Sequence, residues 1–401
     1  MTGRRAREAA ILLLAAVSLG HFAFEVRAAR QNCCFDFGIF WDNMRGWATS
    51  GRLYPQADTL NEFLPGSATY KFPPFYAAIL ASLLGLGIDD GIYVFQSVLQ
   101  VVLYLAAVGL VLATLGARRT SDVALAYALA LSFGPFFETL WRLQPETWIL
   151  FLLAAALFLL ARGDERPAGA ALGLAAMLKL YPAALLACFA IARRRRAVEG
   201  FVLASAAAAL VGLAVFGTSE NAVYFGHLLP FMSGETAVDG FGSEGMGLPR
   251  YLDALLGLDP VAAKRAATVL VAAAFALTGG LVIAARSRDR TIRVEVLAFA
   301  AFVPLTLELL PNAWANYQVL LLLPLLAVLL PAPTAGGPQG PLLLAATAYA
   351  LCLYHQQMTD MGWPRAEGRD AFFESWQTLR GIGAPWLSWA ACLWSLLRPA
   401  P

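Results

Sequence analysis

The stretch "AGAALGLAAMLKLYPAALLACFAIARRRR" (residues 168–196) decides how the chain is read. From 168 to 192 the only charge is Lys179, near the middle of the run. An ionisable residue inside a membrane segment is costly and marks function by default. A lysine can snorkel toward the interface, but from this position the reach is long. Pro182 follows, and proline breaks or kinks a helix. The arginines at 193–196 mark a cytoplasmic end, and Arg162 and Arg166 mark the other end of the run in the same way. Both ends cannot lie on one side if the run crosses once. The stretch is therefore expected to be two half-helices that dip in and return, with "KLYP" at the tip. Such a break is tolerated only where it lines a cavity or is buried in protein.

The rest of the chain agrees with a membrane setting. Of its 401 residues, 59% are hydrophobic and 14% charged, where a soluble chain carries about 25% charged residues. Mean hydropathy is +0.63. Apolar runs recur from 9–26 through 92–115, 145–162, 198–217 and 261–285 to 383–397. The fold class expected is all-α: a polytopic integral membrane protein with about ten to thirteen transmembrane or half-spanning helices. No internal repeat divides it, so residues 1–401 read as one integral domain. The start, "MTGRRAREAAILLLAAVSLGHFAF", has the look of a signal peptide, but no small-x-small cleavage site precedes a soluble domain, and a retained first helix is expected. "GRRAR" places that end in the cytoplasm, so the polar connection 27–72 faces outward. The Arg118–Arg119 pair does not fit simple alternation. Further polar connections span 218–260 and 357–382. A net charge of +2 gives no reason to expect nucleic-acid binding. Cysteines without a CxxC, and three histidines (His21, His227, His355), point to no disulfide framework and no metal site.

The first outward loop opens with "CCFDFGIFWDNMRGWATSGRLYP" (33–55). Apolar positions 37, 40, 41, 44, 47 and 48 fall at helical spacing, which predicts an amphipathic juxtamembrane helix along the outer surface, ended by Gly51. Asp36 stands where an N-cap would, so capping and catalysis compete for it. Asp42 falls on the wet face with Arg45. Four further places put polar groups beside apolar runs. Tyr70 and Lys71 in "YKFPPFYAAIL" stand at the outer interface, where anchoring alone would account for them. Arg142, Gln144 and Glu146 in "LWRLQPETWILFL" are either a short charged loop or the rim of a cavity. Glu308, Asn312, Trp314, Asn316, Tyr317 and Gln318 in "ELLPNAWANYQVLLLLP" make a turn or a sugar-binding cluster. Arg250, in the glycine-rich connection 218–260, is a candidate acceptor contact.

Taken in order, these stretches resemble glycosyltransferase family 87 of the GT-C superfamily, the polyprenyl-phosphate-mannose-dependent mannosyltransferase-like membrane proteins. The family pattern runs from Asp-Phe-x-x-aromatic-aromatic to Gly-x-x-Tyr, here Asp36-Phe37 through Phe40-Trp41 to Gly51 and Tyr54. Next comes Tyr-x-x-Pro-Pro, here "YKFPP", and then a Gln-centred element, here "RLQPETW", without the usual Gly and Asn. A helix ending in Lys-x-x-Pro and an arginine run follows, and last "NAWANYQVLLLLP", with Asn316-Tyr317 where some members carry histidines. The resemblance covers roughly residues 8–330. It implies inversion at the anomeric carbon, no obligatory nucleotide sugar, and a catalytic aspartate in the first outward loop, which falls on Asp36.

The chemistry asks for such residues. A hydroxyl nucleophile needs a carboxylate to take its proton, and Asp36 is the candidate. A leaving phosphate gains charge and needs cations and donors: Lys71, Arg142 and Lys179. Sugar hydroxyls need amides and aromatic faces: Gln144, Trp314, Asn316 and Tyr317, with Asp42, Tyr70 and Arg250 as further substrate contacts. The expected partners are a lipid-linked sugar donor, a glycolipid or polysaccharide acceptor and membrane lipids, with no cofactor. The expected place is the cell (plasma or inner) membrane with the active site facing outward. A transporter or flippase for a lipid-linked sugar is the alternative, since it too has broken helices and polar groups at depth.

Overall fold

In the computed structural model the described residues are 2–32, 34–54, 70–88, 91–233, 246–289, 291–310, 313–330, 339–353 and 369–398, and every regular element among them is a helix. The chain is an all-α polytopic membrane protein. Residues Glu8–Ala29 of α1 (Thr2–Asn32), α4 (Ile92–Thr114), the run Arg195–Phe231 headed by α10 (Arg195–Val223), and α13 (Pro260–Arg288) are long and apolar enough to cross a bilayer. Helices α5 (Thr120–Leu131) and α6 (Gly134–Arg142), bent by 50° at a short break, make a further candidate. Apolar helices of 10–17 residues, among them α3 (Pro74–Gly85), α7 (Glu146–Ala161) and α16 (Gly340–Leu353), fill in between. Leu13, Val17, Leu203, Leu210 and Val269 are exposed, as lipid-facing positions would be.

The re-entrant reading of 168–196 holds. Helix α8 (Glu165–Leu178) ends at Lys179, which takes an extended backbone (φ −148°, ψ 139°). A 3-10 turn at Tyr181–Leu185 and the short α9 (Leu186–Ile191) bring the chain back. Arg194 Nη1 then lies 2.8 Å from Glu165 Oε1, so the run ends beside its own beginning. Helix α8 packs closely on α10. A Cβ added at Gly169 would collide with the Ala197 carbonyl, and one at Gly200 with that of Arg166, so glycine sets the distance between these backbones.

The open question of Arg118–Arg119 is settled by helix direction. Helices α4 and α7 run the same way: Gln100 bonds Thr147, and Ala107, Val108 and Val111 meet Leu150 further on. They therefore release Arg118 and Arg162 at one end. Helix α1 runs with α5 and α6, Ser18 facing Ser132 and Phe22 stacking on Phe136, so the N-terminal residues reach that same end. There Arg194 and Arg286 both bind Glu295 of α14 (Ile292–Glu308), at 3.0 and 2.9 Å.

Helix α2 (Phe35–Ser50) is amphipathic as expected, but its aromatic face meets protein. Phe37, Phe40, Trp41 and Met44 are buried among Tyr70, Phe72, Tyr76 and Tyr93. An apolar stripe at helical spacing registers the need for burial without saying whether lipid or protein supplies it. Cys34, just ahead of α2, is disulfide-bonded to a partner outside the described residues, which the cysteine spacing did not foretell. Helix α14 is buried from Val294 to Glu308 and forms the centre of the bundle. Helix α17 (Arg369–Leu396) packs on α14 and α16 and begins well before the apolar run 383–397. Its first half carries too many polar residues to register as an apolar run.

Candidate active site

Two tight turns put the polar residues in one place. Cys34 adopts a left-handed backbone (φ 91°) and donates its N–H to the Trp141 carbonyl at 2.7 Å, which fixes the start of α2 against the end of α6. Leu143, also left-handed (φ 51°), caps α6, and Pro145 leads into α7. Between them Arg142 and Gln144 both turn toward α2. Arg142 Nη1 lies 3.2 Å and Gln144 Nε2 2.5 Å from Asp36 Oδ2. The N-cap position of α2 is taken by Cys34, and Asp36 is the second residue of the helix. Its carboxylate is engaged across the fold, so capping loses the contest left open by the sequence. Asp36 and Arg142 keep side-chain exposures of 15% and 11%, enough to be reached from outside.

Behind Asp36 the network continues inward. Gln144 Oε1 accepts Lys179 Nζ at 2.8 Å and Asn316 Nδ2 at 3.3 Å. With its oxygen committed to an ammonium, the amide presents its nitrogen to Asp36. Lys179 also bonds Glu146, the first residue of α7, and both are buried. A buried charge is tolerated when a counter-charge and hydrogen bonds meet it, and each of this pair supplies the other. The ammonium further lies 3.9 Å from the ring centroid of Tyr317 and 4.7 Å from that of Phe72. Arg142 is stacked on Trp314, its guanidinium 4.5 Å from the ring centroid. Gln100 donates to the Gln144 carbonyl at 2.8 Å, and Thr139 to the Asn316 carbonyl at 3.0 Å, so α4 and α6 brace the cluster from behind. Lys71, half-buried in the segment leading to α3, senses the same carboxylate. Burial pushes its ammonium down to about 8, while Asp36 pulls it up.

Asp36, Lys71, Arg142, Gln144, Lys179, Trp314, Asn316 and Tyr317 thus converge from distant parts of the chain. Three expected residues do not join these contacts. Asp42 is exposed and pairs with Arg45 at 3.5 Å on the wet face of α2. Tyr70 is buried in the aromatic cluster and donates its hydroxyl to the Pro73 carbonyl at 3.3 Å. Arg250 stands on α12 (Leu248–Leu256), which packs on α13 and α17. Asn312 lies outside the described residues. The stretch "LWRLQPETWILFL" offered Glu146 without its partner, which is Lys179. Arg380 of α17 was missed altogether: it is buried, grips both oxygens of Glu138 at 2.8 and 2.9 Å, bonds Gln318 Oε1 at 2.7 Å, and reaches the Ala315 carbonyl at 3.2 Å. It thereby ties α17 to α6 and to the 3-10 segment Ala315–Leu321, which carries Asn316 and Tyr317.

The family model for glycosyltransferase family 87 matches residues 70–311, more than half of the chain. The chain belongs to that family. No curated protein matches it, and no solved structure does. The matched span of the glycosyltransferase holds Lys71, Arg142, Gln144, Glu146 and Lys179. Asp36 lies ahead of it, and Trp314, Asn316, Tyr317 and Arg380 lie beyond. The geometry joins these outer residues of the glycosyltransferase to the matched ones by direct contacts.

Proposed function

We propose that this glycosyltransferase moves a hexose, with mannose the favoured sugar, from a polyprenyl-phosphate donor to a glycolipid or polysaccharide acceptor of the cell envelope, with inversion at the anomeric carbon. The observation that carries the reading is the Asp36 carboxylate, held by Arg142 and Gln144 and still reachable from outside. Asp36 takes the proton of the acceptor hydroxyl as that oxygen attacks the anomeric carbon. The bond to the lipid phosphate breaks on the opposite side, and its oxygen gains charge, which Lys71 and Arg142 meet. Arg142 is suited to this because its stack on Trp314 fixes the plane of its donors. Lys179 is a weaker phosphate candidate than its sequence context implied, since Glu146 answers its charge at depth. Its task is to orient Gln144. Trp314, Asn316 and Tyr317 supply faces and amides to sugar, and the scheme draws on no resident metal or cofactor. The basic residues gather at the end of the bundle away from Asp36, since α7 has its first residue in the cluster and its last beside Arg162. That bias supports an outward-facing site in the cell (plasma or inner) membrane.

The test is transfer of labelled sugar from polyprenyl phosphate in vesicles carrying the full chain. Asp36→Asn is expected to lower the rate about 10²–10⁴-fold while donor binding persists. Full transfer by that variant would remove Asp36 as the base. Movement of lipid-linked sugar across the bilayer without transfer would favour a transporter.

A further inference from the structure

Inward of Asp36, the buried polar atoms that find no partner among the described residues include Glu146 Oε2, Asn316 Oδ1 and the Tyr181 hydroxyl. Such atoms are few in native interiors, and each costs about 1–3 kcal/mol when left unmet. Here all three belong to side chains grouped around Lys179. The surroundings explain why the chain does not satisfy them itself. Glu146 gives its other oxygen to Lys179. The Asn316 amide nitrogen donates to Gln144 Oε1, so its carbonyl oxygen is left over. Tyr181, in the "KLYP" tip of the re-entrant loop, stacks on Tyr317 with ring centroids 5.8 Å apart and planes within 18°. Both tyrosine rings are half-buried, while the three unmet atoms lie beneath the surface.

The unmet set is two acceptors and one hydroxyl beside an aromatic pair. An anion would be repelled by the carboxylate, and an apolar lipid tail would leave all three atoms unmet. Neighbouring hydroxyls on a pyranose ring fit: they donate to the carboxylate and amide oxygens, exchange a bond with the tyrosine, and rest the ring against an aromatic face. We propose that Glu146, Asn316 and Tyr181 form a subsite that reads the hydroxyls of a sugar ring. The proposal rests on the sugar-transfer reading of the Asp36 cluster and names the residues that recognise the ring. The sugar could be the donor hexose or the terminal residue of the acceptor, and the two are separable.

Tyr181→Phe keeps the stack and breaks no bond within the protein. The full chain in nanodiscs is titrated with polyprenyl-phosphate mannose and each of its monodeoxy analogues, and in parallel with methyl mannoside and the matching analogues, standing for the acceptor. In the wild type, one deoxy position is expected to weaken binding about threefold to tenfold. Tyr181→Phe should weaken the intact ligand by a similar factor and make that same deoxy change neutral. Asn316→Ala should do so for a neighbouring position. Coupling in the lipid series assigns the donor sugar, and coupling in the methyl-glycoside series assigns the acceptor. Undiminished sensitivity of both variants to every deoxy change would mean that the three atoms hold only water, and would overturn the subsite, as would failure of the wild type to bind either series. Coupled binding without transfer of labelled sugar would sink the proposed reaction and leave the subsite standing. Transfer without coupling would do the reverse.

Discussion

Lys71 is the residue at which charge and pH meet. Burial disfavours its ammonium, and the pKa near 8 puts the loss of charge within reach of an ordinary assay. The charged form prevails below that value and disappears as pH rises through it. If Lys71 meets the donor phosphate, kcat/KM for the donor falls on the alkaline side with a midpoint near 8. Lys71→Arg remains charged throughout, so its alkaline limb should move out of the measurable range. An unchanged limb would take Lys71 out of phosphate binding. Residues of this kind were legible beforehand, because a charge beside an apolar run is conspicuous whatever the fold. Asp36, Arg142 and Lys179 stood out for that reason. Asp42 was read from the spacing as lying on the wet face of α2 and was carried only as a further substrate contact; it does lie on that face, paired with Arg45. Tyr181 was hidden because a tyrosine in an apolar run carries no cost until its hydroxyl is seen to lack a partner.

At the scale of elements, the re-entrant loop was readable because two arginine clusters flank one apolar run, a contradiction that a single crossing cannot resolve. What the run could not announce is the close approach of α8 to α10. Gly169→Val would drive a branched side chain into the Ala197 carbonyl. The helices must then part, at a cost of about 1–3 kcal/mol, and the Lys179 tip moves with α8. Lower thermal stability in detergent, together with a loss of transfer larger than the unfolded fraction explains, is expected. Equal activity per folded molecule would show that the tip tolerates displacement. The Glu138–Arg380 clamp was invisible for a different reason: its halves lie 242 positions apart, and Arg380 sits in a helix half too polar to register as an apolar run. Arg380→Met should lower stability by about 3–5 kcal/mol by leaving Glu138 buried without its counter-charge, and adding Glu138→Leu should recover most of that loss. Thermal melts of the two singles and the double decide it. Additive losses would mean that the pair is not coupled.

For the whole molecule, the composition alone established the class, but among the described residues the helices long and apolar enough to cross a bilayer are fewer than the apolar runs, because several runs form shorter helices. Orientation can be tested directly. The free cysteines Cys188, Cys352 and Cys392 are buried, so cysteines introduced at exposed sites should report over a low background. Thr49→Cys on α2 should react with a membrane-impermeant maleimide in intact cells. Asp164→Cys, beside the arginine clusters, should react only after permeabilisation. The opposite pattern would place the Asp36 cluster in the cytoplasm and overturn an outward-facing site.

The span between Glu138 and Arg380 also bears on how the protein is made. Glu138 leaves the ribosome 242 residues ahead of the only arginine that its carboxylate grips among the described ion pairs. At ~5–20 residues per second, the wait is on the order of tens of seconds. During that time α6 is in or near the membrane with a carboxylate whose Arg380 partner has not yet been synthesised, and a carboxylate in lipid is costly. The nascent chain therefore has reason to keep α6 shielded, by the insertion machinery or by α1 and α5 beside it, until α17 arrives. The segment bearing Asn316 and Tyr317 is gripped by the same arginine. That segment therefore lacks its brace from Arg380 until α17 has been made.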